Sequence, residues 1–235
     1  MIRILFLSAI IFQGQSAMSQ FTLEKLKKTL SGESMSTDEV AAGLKEALTN
    51  GASNGADLVS QLDGYYKNPE IKIPFPPEVK QVETRLRQIG LGSEVDKFVE
   101  SLNRGAEDAA KEAKPIFVSA IKELTIEDAW SILRGEEDAA TQYLNRTTSP
   151  LLMEKFQPII QRSLEKVNAT KYYSDLVTTY NKIPFVQTVN PNLDEYATEK
   201  AIHGLFVMIA KEEKKIREDP VARTSDLLKK VFSGN

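Results

Sequence analysis

The chain of 235 residues contains no cysteine. Disulfide bonds, thiolate nucleophiles, thiolate zinc sites and iron–sulfur clusters are therefore excluded as sources of stability or chemistry. Lipid attachment to a cysteine that follows a signal peptide is excluded as well. Without such links, a protein of this length depends on its hydrophobic core for stability.

The sequence also has little histidine and no large excess of charge. It contains one histidine, and its 30 basic and 33 acidic residues give a formal net charge of -3. This balance argues against a general attraction to phosphate backbones, so no nucleic-acid partner is expected. A hydrophobic content of 41% and a charged content of 27% are typical of one ordinary globular domain.

The first nineteen residues, MIRILFLSAIIFQGQSAMS, have the pattern of a removable signal peptide. Arg3 precedes an apolar run that rises only about 14 Å as a helix, roughly half of a bilayer core, so no transmembrane anchor is expected. Small residues at 17 and 19 predict cleavage before Gln20, with cleavage after Ala17 as the alternative. We therefore expect an exported protein, periplasmic or secreted.

Past residue 19, apolar residues recur at helical spacing and predict an all-α single bundle of about eleven helices. We expect a short helix and linker at 20–36, followed by a helical domain at 37–233. Gly51 separates two helices, and Pro158 is expected to kink or break the helix that contains it. The predicted helices that bear on the later description are at 40–48, 52–62, 138–144, 150–167, 193–218 and 220–232.

Two segments indicate close packing. Prolines 69, 74, 76 and 77 forbid a continuous helix and predict an extended connector. Ile71, Ile73 and Phe75 alternate along it, so one side of the connector should pack on the helices. A later helix carries an alanine face at 106, 109, 110 and 113, which permits close approach of a neighbouring helix.

Several charged residues are candidates for a binding or catalytic site. Arg104 and Glu107, three apart beside the alanine face, form either an internal ion pair or a partly desolvated functional pair. A glycosidase-like acid and base could be drawn from Glu107, Asp128 and Glu213. Stabilisation of a helix start by Asp128 and ion pairing by Glu213 explain the same residues.

Other candidates have equally simple structural interpretations. Arg217 and Arg223 flank a proline-started helix and could bind a small anion, or could serve in capping and ion pairing. Tyr65 and Tyr66 could line a glycan or partner surface, or lie at the core boundary. His203 shares a helix face with Glu199, but apolar neighbours favour a packing role over metal binding, and no metal or cofactor is expected.

Three stretches carry a resemblance to a known family: DGYYKNPEIKIPFP at 63–76, NRGAEDAAKEAKPIFVSAIKELTIEDAWSILRGEEDAATQYL at 103–144, and EKAIHGLFVMIAKEEKKIREDPVARTSDLLKKVF at 199–232. Together they resemble the bacterial domain-of-unknown-function family 4197. The resemblance implies an exported helical protein, with no activity or catalytic residue to carry over. Many members look like lipoproteins with a cysteine after the signal, from which this cysteine-free sequence departs.

The sequence favours a non-enzymatic protein that binds an envelope protein or a small envelope ligand through a groove near the proline-rich connector. The absence of recognisable catalytic motifs motivates this hypothesis. An envelope hydrolase that acts on glycan or lipid through helix-borne carboxylates is the alternative. A structural assembly based on the alanine face is a further alternative.

Overall fold

The computed structural model describes residues 36–166, 168–182, 184–185, 188–190 and 192–232. Across these ranges the fold is all-α, with nine α-helices, two 3₁₀ helices and no strand. The predicted class is confirmed, whereas the described ranges contain nine α-helices and not the expected number of about eleven. The predicted signal peptide and short helix lie outside the described residues.

The helices are named in chain order. The α-helices are α1 (Thr37–Val59), α2 (Lys80–Gln88), α3 (Gly92–Ala110), α4 (Ala113–Glu123), α5 (Ile126–Leu133), α6 (Ala139–Glu165), α7 (Ala169–Tyr180), α8 (Leu193–Glu218) and α9 (Asp226–Phe232). The 3₁₀ helices are Pro77–Val79 and Pro220–Ala222. Among these helices, none combines the length and the apolar character that a bilayer crossing requires.

The centre of the bundle is built from α1, α3, α6 and α8. Helix α1 packs on α8, and α6 packs on both α3 and α8. Along α6, a fully buried row recurs mostly every four residues: Leu144, Leu152, Phe156, Ile160 and Leu164. Each such side chain contributes about 1.5–3 kcal/mol by leaving water, so this row anchors α6 in the core.

The predicted break at Gly51 is wrong, because α1 continues through it to Val59. The glycines of α1 instead permit close packing against α8. A Cβ atom on Gly51 would lie 3.5 Å from Ile216 Cδ1, and one on Gly55 would lie 2.9 Å from Ile209 Cγ1. Each glycine costs the helix about 1 kcal/mol in intrinsic propensity. The helix continues through them because the free energy of packing against α8 exceeds this cost.

The two helices predicted at 138–144 and 150–167 form a single helix, α6, which contains both Pro150 and Pro158. Of the two outcomes expected at Pro158, a kink or a break, the break does not occur. Each proline removes one intrahelical N–H donor. The buried row of α6 compensates, since ending the helix would remove apolar side chains on both sides of Pro158 from the core.

Helix α8 has the predicted bounds, and its start is capped by Asn192, whose side chain accepts from the backbone N–H of Glu195 at 3.2 Å. The final helix predicted at 220–232 is divided into the 3₁₀ turn Pro220–Ala222 and α9. The side chain of Asp219 accepts from Val221 N–H at 2.8 Å, which satisfies the start of that turn. Local capping thus replaces a continuous helix at this position.

The segment between α1 and Pro77–Val79, residues 60–76, is called the strap here. Ile71, Ile73 and Phe75 are buried while Lys72 and Pro74 are exposed, which confirms the predicted one-sided packing. Asn103 on α3 pairs with Ile73 as a neighbouring strand would: its side-chain oxygen accepts from Ile73 N–H at 2.8 Å, and its amide donates to Ile73 O at 2.9 Å. The strap is therefore bonded to the bundle through its backbone.

The alanine face of α3 packs inside the fold. Ala106, Ala109 and Ala110 are buried, and a Cβ atom on Gly105 would lie 3.5 Å from Ile160 Cα. Helices α3 and α6 therefore approach closely, as the small side chains predict. This face is covered by the chain itself.

Candidate functional site

Glu107 on α3 holds the start of the strap. Its Oε1 atom accepts hydrogen bonds from the backbone N–H groups of Tyr65 and Tyr66, both at 3.1 Å, and its Oε2 atom accepts from Arg104 Nη1 at 2.7 Å. The residue is only 4% exposed. A buried carboxylate must be paired and hydrogen-bonded to be tolerated, and these donors meet that condition.

Arg104 extends this network to the surface. Its Nη2 atom donates to Asp63 Oδ1 at 2.9 Å and to Glu100 Oε1 at 3.1 Å. Asp63 has a positive φ of 71° and also pairs with Lys67 at 2.8 Å. Hydrogen bonds from Lys67 and Arg104 hold the pKa of Asp63 below its ordinary value, so Asp63 remains ionised at neutral pH. Glu107, Arg104 and Asp63 are called the strap clamp below.

The tyrosine pair has two different environments. Tyr65 is fully buried, and its hydroxyl donates to Ala201 O on α8 at 2.6 Å. A Cβ atom on Gly204 would lie 2.7 Å from the Tyr65 ring, so the ring rests directly on the α8 backbone. Tyr66 is half-buried, with Lys72 Nζ 4.4 Å from its ring centroid. Tyr65 is thus a core residue, and Tyr66 lies at the core boundary.

Glu213 on α8 repeats the arrangement of Glu107 at another place in the fold. It accepts from the backbone N–H groups of Ala140 at 3.0 Å and Thr141 at 2.8 Å, and from the Thr141 hydroxyl at 2.8 Å. Arg217 Nη2 lies 2.8 Å from Glu213 Oε1. Because Ala140 and Thr141 belong to the first turn of α6, Glu213 acts as its N-terminal cap from another helix.

Arg217 and Arg223 bind backbone oxygens near the ends of two helices, α5 and α8. Arg217 Nη2 donates to Ile132 O at 3.0 Å, while Arg223 donates to Ile216 O at 3.1 Å and Arg217 O at 2.7 Å. Terminal carbonyl groups of a helix lack intrahelical donors, and Arg223 supplies them here. These contacts give the two arginines a capping role.

Asp128 lies apart from both groups, in a capping box at the start of α5. Its carboxylate accepts from the hydroxyl and the backbone N–H of Thr125, and these bonds lower the pKa of Asp128.

The structure thus brings together Tyr65, Tyr66, Arg104 and Glu107 in one group. It brings together Glu213, Arg217 and Arg223 in a second group. The proposed catalytic carboxylates hold three different elements: the strap, α5 and α6.

His203 is exposed on α8, so the interpretation of it as a core or packing residue is wrong. Helix α8 turns its face with Ala201, Ile202 and Leu205 toward the core and leaves the imidazole outside. Within the described residues, no group of three or more His, Asp or Glu side chains is placed to hold a metal ion.

An apolar groove runs between α2, α3 and α7, and Phe75 of the strap lines it. Its volume is about 540 Å³. The apolar side chains of this groove include Phe75, Val82, Leu86, Val95, Phe98 and Ala169. The rings of Phe75 and Phe98 pack with their centroids 5.0 Å apart, which joins the strap to α3 at one wall.

The polar groups of the groove are few. Tyr173 lines it while being only 5% exposed, and its hydroxyl has no hydrogen-bond partner in the described part of the chain. Burial, with a smaller contribution from the Glu78 carboxylate, raises the pKa of Tyr173 to about 12. The phenol therefore stays neutral and can donate a hydrogen bond. Lys97 and Glu94 also line the groove as an exposed pair 3.1 Å apart.

Four of the lining residues, Val82, Leu86, Val95 and Phe98, fall on helical stripes in the sequence, but their arrangement as a groove was not predictable. The local signal that could have indicated it is Leu91, an apolar residue between Gly90 and Gly92 in the sequence, which is 42% exposed in the structure. Gly90, with φ of 90°, turns the chain between these helices. An exposed leucine beside such a turn marks apolar surface that the two helices do not cover.

The protein is an all-α bundle. A proline-rich strap is bonded to its central helices, and an apolar groove lies at the far end of the strap. The chain belongs to the family described as "Protein of unknown function (DUF4197)", whose model matches residues 34–233. The resemblance noted in the three stretches is thereby confirmed. Neither the curated proteins nor the solved structures contain a match to the chain.

Proposed function

We propose that this protein binds a single-chain amphiphile, such as a fatty acid or a monoacyl lipid, in the apolar groove without transforming it. The observation that carries the proposal is a groove of about 540 Å³ walled by aliphatic and aromatic side chains. Binding pockets for small molecules span roughly 300–1,000 Å³ and combine apolar walls with a few polar groups. The groove has both properties.

The polar groups favour a ligand with an oxygen acceptor at one end. The neutral hydroxyl of Tyr173 lacks a protein partner in the described residues and can donate to a carboxylate or ester oxygen. Lys97 is exposed, and an exposed ion pair such as that with Glu94 is worth only about 0–1 kcal/mol. Its ammonium can therefore exchange Glu94 for an anionic head group.

The contacts of the candidate carboxylates support a binding role over a hydrolytic one. Glu107 and Glu213 each accept two backbone N–H hydrogen bonds and pair with an arginine. A general acid or base must be free to exchange a proton with substrate. Both carboxylates are instead engaged in holding the strap and α6.

We also propose that the protein acts outside the cytoplasm, on the basis of its first nineteen residues. In a bacterial host, the exported form is expected to have the mass of a chain that begins at Gln20 or, with the alternative cleavage, at Met18. Leu7→Arg places a charge in the apolar run and should leave the uncleaved chain in the cytoplasm. Cell fractionation with intact-mass measurement checks this, and an uncleaved native chain would contradict it.

The groove is tested by filling it. Leu86→Trp adds bulk at a lining position, and overpacking of this kind costs about 1–3 kcal/mol. We expect the affinity for hexadecanoic acid, measured by calorimetry, to fall about tenfold or more. Leu151→Trp is the matched control, because Leu151 is 41% exposed on α6 and does not line the groove.

The head-group contact is tested by Tyr173→Phe, which removes only the hydroxyl. A hydrogen bond worth about 0.5–1.5 kcal/mol predicts a 2- to 12-fold weaker binding of hexadecanoic acid. Binding of hexadecane, which has no acceptor, should be unaffected. Equal binding by the native chain and Leu86→Trp, or no binding of either ligand, would refute the proposed function.

A further inference from the structure

A second recess lies where the strap crosses α8, and it shares no lining residue with the groove. Its volume is about 190 Å³. Its lining includes Lys72 from the strap and Lys200 and His203 from α8. Three nitrogen-bearing side chains thus converge on one small depression from two different elements.

Among the described residues, no carboxylate forms an ion pair with the two lysines of this recess. Within the described part of the chain, the side chains of Lys72, Lys200 and His203 make no ion pair and no hydrogen bond. Glu70, an acidic residue in the lining, is paired with Lys211. Glu199 is exposed and precedes Lys200, but it is not part of the lining. The recess therefore carries a local excess of donors.

Each lysine ammonium group lies near an aromatic ring. A ring does not use up the ammonium N–H donors, whereas an oxygen acceptor would. Lys72 Nζ lies 4.4 Å from the Tyr66 ring centroid, and Lys200 Nζ lies 5.9 Å from that of Tyr196. The Tyr196 hydroxyl donates to Pro74 O at 3.3 Å, which joins the ring under Lys200 to the strap. Each ammonium group thus lies beside an aromatic ring and retains N–H donors for an oxygen acceptor.

We infer that this recess binds the phosphate group of a phosphate monoester. A phosphate offers three terminal oxygens, which suits three donors that approach from the strap and from two positions on α8. Its charge is complementary to the lysines, and a recess of about 190 Å³ accommodates a compact group. The inference goes beyond the proposed groove ligand and does not rest on it. The ester comes either as a free metabolite or as a lipid head group.

The test uses the full chain in low-salt buffer, where charge interactions are least screened. Glycerol 3-phosphate is titrated by calorimetry, and vesicles of phosphatidylcholine with or without phosphatidic acid are tested by co-sedimentation. The variant Lys72→Gln/Lys200→Gln removes both lysine charges at exposed positions. Lys155→Gln is the matched control, since Lys155 is an exposed lysine on α6 outside the recess.

We expect the double variant to weaken phosphate-ester binding roughly 10-fold or more and the control to change it less than about twofold. Binding of glycerol 3-phosphate in solution would identify a free ester. Binding confined to vesicles with phosphatidic acid, and lost in the double variant, would identify a lipid head group. Absence of both, or equal weakening by Lys155→Gln, would overturn the inference. Hexadecanoic acid binding should be unchanged in every variant, which separates this result from the groove proposal.

Discussion

Glu107→Ala is expected to lower the free energy of unfolding by about 3–5 kcal/mol, because removing one partner of a buried ion pair leaves its other partners uncompensated. The backbone N–H groups of Tyr65 and Tyr66 both lose their acceptor. Arg104 keeps Asp63 and Glu100 but loses its contact at 2.7 Å with Glu107. Urea unfolding followed by far-ultraviolet circular dichroism measures the loss.

Two comparison variants separate the clamp from a general effect of charge. Glu107→Gln retains a side-chain oxygen that can accept from the strap, so a smaller destabilisation is expected. Glu100→Ala removes the exposed partner of Arg104, and a contact of that kind is worth about 0–1 kcal/mol. Equal losses in Glu100→Ala and Glu107→Ala would show that the strap clamp does not stabilise the fold.

The loss of the strap clamp should also be visible locally. The backbone amides of Tyr65, Tyr66 and Ile73 tie the strap to α3. In Glu107→Ala, amide hydrogen exchange should accelerate first at Tyr65 and Tyr66, while Ile73 keeps its acceptor on Asn103. Such graded protection is expected where a segment opens without global unfolding.

Glu213→Ala is expected to have an effect of similar size, about 3–5 kcal/mol, since it too removes one partner of a buried ion pair. The first turn of α6 loses the acceptor for the N–H groups of Ala140 and Thr141. Asp138, which precedes that turn, makes no side-chain capping bond that could replace it. Because α6 carries the central apolar row, the change should appear as a shift of the whole cooperative transition in urea.

Two substitutions near Glu213 with smaller expected losses of stability provide a scale for the effect of Glu213→Ala. Thr141→Val removes only the hydroxyl that donates to Glu213 at 2.8 Å, so a loss of about 0.5–1.5 kcal/mol is expected. Glu218→Ala alters an exposed pair with Lys214 on the same helix and should change stability by less than about 1 kcal/mol. A loss in Glu213→Ala no larger than that in Glu218→Ala would contradict the capping role.

The two glutamates share one structural principle. Each lies on a central helix, accepts two backbone N–H groups from another element, and pairs with an arginine one turn away, Arg104 or Arg217. A carboxylate in this setting favours one position of the bound element, since displacement would leave a buried charge without donors. The strap and the start of α6 are thereby positioned by charge as well as by apolar packing.

The local pattern predicted several elements correctly for identifiable reasons. Helix α8 has an Asn cap, a long apolar period and a terminal proline, and all three signals agree on its bounds. The strap was predictable because prolines forbid helix while Ile71, Ile73 and Phe75 alternate. Pairs such as Arg104 and Glu107 were identified from spacing alone, but their backbone partners are 41 and 42 residues away and were not predictable.

Other elements were mispredicted where local and tertiary preferences disagree. Gly51 and Pro158 are helix breakers by intrinsic preference, yet α1 and α6 run through them. His203 has apolar sequence neighbours, yet it faces outward. In each case the deciding quantity is contact with another helix, which a local sequence window does not contain.

The amino-acid sequence was sufficient for the all-α class, the family membership, the strap and the absence of cysteine chemistry. These follow from composition, periodicity and proline geometry, which act over a few residues. The tertiary structure alone decided that Glu107 and Glu213 accept backbone hydrogen bonds, that an apolar groove lies between α2, α3 and α7, and that Lys72, Lys200 and His203 line one recess. These depend on residues far apart in the chain, whose meeting is set by packing of the whole core and not by local conformational preference.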